Sequence, residues 1–311
     1  MSELKGRVAV VTGAGRGLGA AYASALAAAG AAVVVNDADA AAAAETAARL
    51  TDAGFQAVAE PGAVGPADVA QRLVDRAVSA YGRLDVLVTN AGILRDRVLW
   101  KMSDEDFDAV VDVHLRGTFT CVRAAVTRMR AQGDGGRIIA IGSPAGQRGN
   151  FGQTNYSGAK AAVVGMVRTW ALECERAGIT VNAVIPVAAT AMTATIPAFA
   201  PYVDAWRDDG TPLPGWLRAG EGFGVPADAA GLVVFLASAE GAAVTGQAIG
   251  VGGDKLALWS HADEVVAAYR TGGWSADAIA QAWPASFARH LRPVGIPAPQ
   301  APAAAPAREA R

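Results

Sequence analysis

Val8-Ala9-Val10-Val11-Thr12-Gly13-Ala14-Gly15-Arg16-Gly17-Leu18-Gly19 decides the fold. Four apolar residues in a row, three of them β-branched, predict a short strand buried on both faces. The glycines that follow let the backbone turn tightly. The alanine-rich run after Leu18 predicts a helix. A strand, a glycine turn and a helix in that order form a cradle for a pyrophosphate, which sits on the helix N-terminus. Taken alone, the glycines are weak evidence, because a purely structural turn uses them too. Their placement between strand and helix favours the nucleotide reading, with Gly13, Arg16, Gly17, Leu18 and Gly19 as the cofactor-binding loop.

Working outward, the same rhythm repeats. Short apolar runs at 8–11, 32–35, 56–59, 86–89, 137–141, 180–185 and 248–251 alternate with helical stretches at 18–29, 38–53, 68–81 and 104–130. The expected fold class is α/β, a Rossmann-type doubly wound parallel sheet. It is a single domain over 1–255 with a lid segment near 188–225, where prolines, glycines and two tryptophans break the rhythm. Residues 256–291, with Trp259, Trp274 and Trp283, are expected to form a short helical C-terminal extension. The Pro/Ala-rich tail at 292–311 is expected to be disordered.

Composition excludes several classes. The chain has 311 residues, 52% hydrophobic, and a formal net charge of -2. Nothing favours nucleic acid or an anionic membrane surface. A basic start with Lys5 and Arg7 precedes an alanine-rich region, but Arg16 and the glycines interrupt it and no membrane-spanning run follows. Cys121 and Cys174 are far apart and read as reduced thiols. His114, His261 and His290 are scattered, so no metal site is expected. The expectation is a cytoplasmic enzyme acting on a small molecule.

Three further features carry chemistry. Asp37 ends the second strand, where a carboxylate hydrogen-bonds the ribose hydroxyls of NAD and repels the 2′-phosphate of NADP. Its alternative role is an N-cap for the helix beginning at Ala38. Arg16 is the one base placed to favour NADP, and Asp37 outweighs it because its carboxylate stands where that phosphate must go. Tyr156 and Lys160, in Tyr156-Ser157-Gly158-Ala159-Lys160, share one helix face. A phenol near its reference pKa of ~10 is a poor base. A neighbouring ammonium and the positive nicotinamide ring are expected to lower it. Ser143, just past the fifth strand, is placed to hydrogen-bond a substrate oxygen.

With the glycine loop, Asn90-Ala91-Gly92, Ser143, Tyr156 and Lys160 in this order, residues 4–255 resemble the short-chain dehydrogenase/reductase family. The resemblance implies that Tyr156 is the general acid/base and that Ser143 orients the carbonyl or hydroxyl. It also implies that Lys160 holds the nicotinamide ribose and lowers the Tyr156 pKa. Asn90, Ala91 and Gly92 would line the adenosine side, and Thr190, soon after Pro186, would bond the carboxamide. A homo-oligomer, dimer or tetramer, is implied in the same way.

Three stretches, 90–97, 102–107 and 113–119, together with Gly149-Asn150-Phe151-Gly152-Gln153, look like the (3R)-hydroxyacyl-CoA dehydrogenase domain of peroxisomal multifunctional β-oxidation enzymes. His114 stands where most of the family has an Asn that assists a water relay. A catalytic relay and a packed helix histidine are both open for it. Thr89 and Val187 depart from the family's usual Asn and Gly.

The function expected is NAD(H)-dependent interconversion of a secondary alcohol and a ketone, with a 3-hydroxyacyl/3-oxoacyl thioester as substrate. The alternative is a bulkier secondary alcohol such as a hydroxysteroid or terpenoid. A reading from a different class is a catalytically silent NAD-binding scaffold, against which the intact Ser143, Tyr156 and Lys160 argue.

Overall fold

The computed structural model describes residues 3–296. Eight strands form one sheet in the order β3-β2-β1-β4-β5-β6-β7-β8. They are β1 (Val8–Val11), β2 (Ala32–Val35), β3 (Ala57–Ala59), β4 (Val86–Thr89), β5 (Gly136–Ile141), β6 (Ile179–Pro186), β7 (Ala248–Gly252) and β8 (Lys255–Trp259). All neighbours pair in parallel except β7 and β8. Every residue of β1, β2 and β4 is buried. The continuous apolar runs have the expected cause: helices cover both faces of the sheet.

The helices are α1 (Gly17–Ala28), α2 (Ala40–Asp52), α3 (Ala67–Tyr81), α4 (Asp104–Val111), α5 (Gly117–Gln132), α6 (Pro144–Arg148), α7 (Thr154–Cys174), α8 (Ala200–Asp209), α9 (Ala230–Ala237) and α10 (Ala276–Ser286). On one face Tyr22 and Leu26 of α1 and Val233 and Leu236 of α9 pack against Val33, Val35 and Val88. On the other, Leu73 of α3, Val122 of α5 and Val167 of α7 pack against Val34, Leu87 and Ile138. A five-residue π-helix, Asp112–Arg116, joins α4 to α5 without a break.

The expected helical extension over 256–291 is corrected here. Its first residues continue a strand, β8, that closes back on β7 through Gly253-Asp254, and α10 is the only α-helix described beyond it. The open edge of β7 supplies the hydrogen-bond partners, and a pairing of that kind overrides local propensity. A Gly-Asp connection is itself a hairpin signal. The expected disorder of 292–311 lies outside the described residues from 297 onward.

Tyr22 is fully buried, its hydroxyl has no hydrogen-bond partner, and burial raises its pKa. A buried unpaired hydroxyl costs about 1–3 kcal/mol. Tyr22→Phe keeps the ring and removes that cost. It is expected to stabilise the protein by about 1 kcal/mol, measured by chemical denaturation. A loss of stability would show that the hydroxyl is bonded in solution.

Candidate active site

A cleft of about 1010 Å³ opens along the C-terminal ends of the strands. The sheet order reverses there between β1 and β4, which is where doubly wound sheets bind ligands. The glycine loop forms one end. Thr12 Oγ1 accepts from the N–H groups of Asn90 and Ala91, and Asn90 Nδ2 donates to Thr12 O and Gly13 O at 3.0 and 2.9 Å. The loop is therefore stapled to the exit of β4. Gly13 has φ +60, and a Cβ there would meet Ala91 Cα at 2.6 Å. A Cβ on Gly19 would strike Gly13 O. A side chain at either position would spread this backbone, so the loop keeps room and free N–H groups for a pyrophosphate.

Asp37 stands beside the loop. Its Oδ2 accepts from Gly15 N at 2.9 Å, and its Oδ1 from Asp39 N at 3.0 Å. The helix-cap role considered for Asp37 falls to Asp39, whose carboxylate accepts from Ala41 N and Ala42 N. Arg16 is turned away from Asp37 and ion-pairs with Asp39 at 2.7 Å. Those amides and the Arg16 guanidinium hold the Asp39 carboxyl below its usual range.

The other end gathers Ser143, Tyr156 and Lys160. Ser143 caps α6: its Oγ accepts from Ala145 N at 3.2 Å, which leaves the hydroxyl proton free to donate. Asn155 fixes the start of α7. Its Nδ2 donates to Arg95 O and Asp106 O, and its Oδ1 accepts from Tyr156 N. Tyr156 and Lys160 follow one turn apart, with Nζ 5.8 Å from the Tyr156 ring centroid. Lys160 is buried and donates to Ile141 O at 2.6 Å. Burial pushes its pKa down to about 7.

Burial also raises the Tyr156 phenol above its usual value. The Ser143 hydrogen bond opposes that shift and the charge of Asp96 adds to it. The lowering expected from Lys160 therefore does not dominate in the protein alone. Desolvation is the larger effect, and a cationic ring beside the phenol is what would reverse it.

The residues match a known group of proteins. A profile described as short chain dehydrogenase matches residues 7–200. The chain belongs to the short-chain dehydrogenases. It is accordingly an oxidoreductase of CH–OH groups that uses a nicotinamide nucleotide. It is 42% identical over 271 residues to a hydroxyacyl-CoA dehydrogenase of Mycobacterium tuberculosis, covering 83% of this chain and 81% of that one. It is 42% identical over 256 residues to a 3-oxoacyl-[acyl-carrier-protein] reductase of Synechocystis, covering 81% of this chain and 98% of that one. Similarity to the peroxisomal multifunctional enzyme type 2 of Drosophila melanogaster is 44% over 194 residues, 60% of this chain and 32% of that longer protein. A crystal structure of a short chain dehydrogenase from Mycobacterium avium superposes with a TM-score of 0.81 at 36% identity, covering 94% of this chain and 98% of that one.

In this short-chain dehydrogenase the cleft brings together Gly13, Arg16, Gly17, Leu18, Asp37, Asn90, Ala91, Gly92, His114, Ser143, Tyr156, Lys160, Pro186 and Thr190. Gly19 alone of the sequence candidates stays outside the lining, because it packs under Gly13. Among the described residues no group of three or more His, Cys, Asp or Glu side chains could hold a metal. No described helix is long and apolar enough to cross a membrane.

His114 sits in the π-helix, a conformation frequent at functional sites. Its Nε2 lies 2.8 Å from Ile93 O and 3.1 Å from Ile93 N. We assign the proton to Nε2 on the shorter contact. Its ring meets Tyr156 edge-on at 5.0 Å. Nδ1 is buried without a partner, and burial, with the nearby Lys160 charge, pushes the His114 pKa down to about 3. The imidazole is therefore neutral at physiological pH and does not supply the titration near neutrality of an ordinary histidine.

If it acts in proton transfer, His114→Asn keeps activity and His114→Ala lowers kcat roughly 10-fold, about 1.4 kcal/mol of transition-state stabilisation. If it only packs, both variants melt earlier with kcat unchanged. Measuring kcat and Tm for both variants decides between these outcomes.

The lid has a core of its own. Val203, Leu213, Leu217 and Phe223 are buried in it, and Phe199 stacks on Phe223 at 4.3 Å. Tyr202 and Trp216 meet edge to face at 5.9 Å. Ile196, Phe199, Trp206 and Phe223 are among the residues of this segment that line the cleft.

Sequence reasoning did not single out Arg148, Gln153, Trp259 or Ile296 as site residues, and all four line the cleft. Gln153 was within a quoted motif. Its Nε2 donates to Asp96 and its Oε1 accepts from Asn150. Arg148 ends the short helix that Ser143 caps, and no local signal marks Trp259 or Ile296, because both arrive from distant parts of the chain.

Proposed function

We propose that this enzyme is an NAD(H)-dependent dehydrogenase interconverting 3-hydroxyacyl and 3-oxoacyl thioesters. The observation that carries it is the gathering of the Ser143 hydroxyl, the Tyr156 phenol and the buried Lys160 ammonium at one end of a cleft whose other end holds Asp37 beside the glycine loop. A nicotinamide dinucleotide held between these ends by the glycine loop, Asp37 and Lys160 would supply the hydride acceptor for oxidation and the hydride donor for reduction.

The chain's own residues do the rest. The Ser143 hydroxyl donates to the substrate oxygen and fixes which face of the carbon is presented. Tyr156 takes the hydroxyl proton in oxidation and returns it in reduction. Lys160 bonds the nicotinamide ribose and favours the phenolate by its charge. Asp37 accepts from the adenosine ribose hydroxyls, while Asn90, Ala91 and Gly92 line the adenosine side, and Thr190 meets the carboxamide. The thioester is supported by the similarity to a hydroxyacyl-CoA dehydrogenase and an acyl-carrier-protein reductase. The reading includes a homo-oligomer in the cytoplasm.

NADH formation measured over a panel of 3-hydroxyacyl thioesters, hydroxysteroids and terpenoid alcohols is the test. The expected result is the highest kcat/KM on a thioester. Preference for a steroid or terpenoid would replace the substrate class, and no turnover of any alcohol would leave only a nucleotide-binding scaffold.

A further inference from the structure

Ile296 lies far along the chain from the groups that react, yet its side chain lines the same cleft. A backbone hydrogen bond puts it there: Gly295 N–H donates to Arg148 O at 2.8 Å. Arg148 is the last residue of α6, the helix that Ser143 caps. At a rise of about 1.5 Å per residue, that anchor stands roughly 7–8 Å along the helix from Ser143. The Arg148 guanidinium lies over the Trp259 ring, 5.5 Å from its centroid. Trp259 ends β8 and faces the cleft as well. The end of α6, the end of β8 and the segment reaching Ile296 therefore meet at one place.

That place is on the substrate side. The glycine loop and Asp37 occupy the opposite end, and the reacting carbon must lie against Ser143 and Tyr156. Phe199, Trp206, Trp259 and Ile296 all line this cleft, so a chain carried by the reacting carbon has an apolar surface to run along beyond Ser143. Ile296 is the better covered of two nearby apolar side chains. Val294, two residues earlier, is 90% exposed, whereas Ile296 is 39% exposed.

We propose that Ile296 is a specificity-determining residue, walling the substrate end of the cleft and setting how long a chain the substrate carries beyond its carbinol carbon. The inference rests on the thioester reading above only for the chemistry of that chain. An apolar, β-branched side chain suits the task because it contacts methylene groups and offers them no polar competitor. A difference of one methylene in such a pocket changes kcat/KM by about 10-fold or more.

The test uses the full chain carrying Ile296→Gly or Ile296→Trp. For each, kcat/KM is measured over pantetheine thioesters from 3-oxobutanoyl to 3-oxododecanoyl. The ratio of longest to shortest is expected to rise about 10-fold in Ile296→Gly and to fall about 10-fold in Ile296→Trp. Opposite signs separate a wall from a folding defect, which would move both variants the same way. An unchanged ratio in both, or a shift of the same sign in both, overturns the proposal.

Binding of the same series without nicotinamide, followed by quenching of tryptophan fluorescence, keeps the two claims apart. A length ratio that moves with residue 296 while no thioester is turned over upholds the wall and overturns the thioester reading. Turnover with a fixed ratio does the reverse.

Discussion

Tyr156→Phe is expected to lower kcat by about 10³-fold or more while the Kd for NADH changes less than about 2-fold. In the proposed reaction the phenol hydroxyl moves the proton, and removing a positioned acid/base costs about 10²–10⁴-fold. The ring, which packs edge-on against His114 at 5.0 Å, is retained, so the cleft keeps its shape. Stopped assays for turnover and fluorescence titration for NADH separate the two effects. Activity within a few-fold of the parent would remove Tyr156 from the chemistry. The pH profile adds a second check: burial raises the phenol pKa, so the phenolate, and with it the oxidation rate, should increase as the pH rises.

The second large effect concerns Asp37. The parent enzyme is expected to prefer NAD over NADP by roughly 10²–10³-fold in kcat/KM. Like charges about 4 Å apart near a protein surface repel by about 4 kcal/mol, and the 2′-phosphate must approach the Asp37 carboxylate. Arg16 offers little relief, since it is paired with Asp39 and its side chain is 68% exposed. Asp37→Ser removes the repulsion and weakens the ribose contacts. It should lower the efficiency with NAD about 10–100-fold, the loss expected for charged hydrogen bonds, and raise that with NADP. Steady-state kinetics with both cofactors is the measurement. Equal or better efficiency with NADP in the parent would show that Arg16 swings from Asp39 to the phosphate.

Much of this site was legible in the sequence because its parts are local. The glycine loop is a run of consecutive residues, and Tyr156 and Lys160 share a face by helical spacing alone. Asn90 and Asp37 are marked by standing at strand ends. What the sequence left open depended on competition between neighbours. Asp37 and Asp39 lie two residues apart, and either suits a helix cap. The fold gives the cap to Asp39 and leaves Asp37 against Gly15. The histidine at 114 was readable as relay or packing, and only burial shows that it stays neutral. A lowering of the Tyr156 pKa was expected from Lys160, whereas in the structure burial is the largest influence on the phenol and raises it.

The sequence by itself determined the alternation of buried strands and helices, and with it the doubly wound sheet and the glycine turn after its first strand. Those follow from periodicity and short-range geometry, which neighbouring residues impose on one another. The tertiary structure alone decided that 255–259 is a strand, that the lid carries its own core, and that Arg148, Trp259 and Ile296 meet at the substrate end. Each of these rests on a partner far away in the chain. A strand needs the open edge of β7, and a wall needs the helix end it is bonded to, so no window of sequence contains the interaction that fixes it.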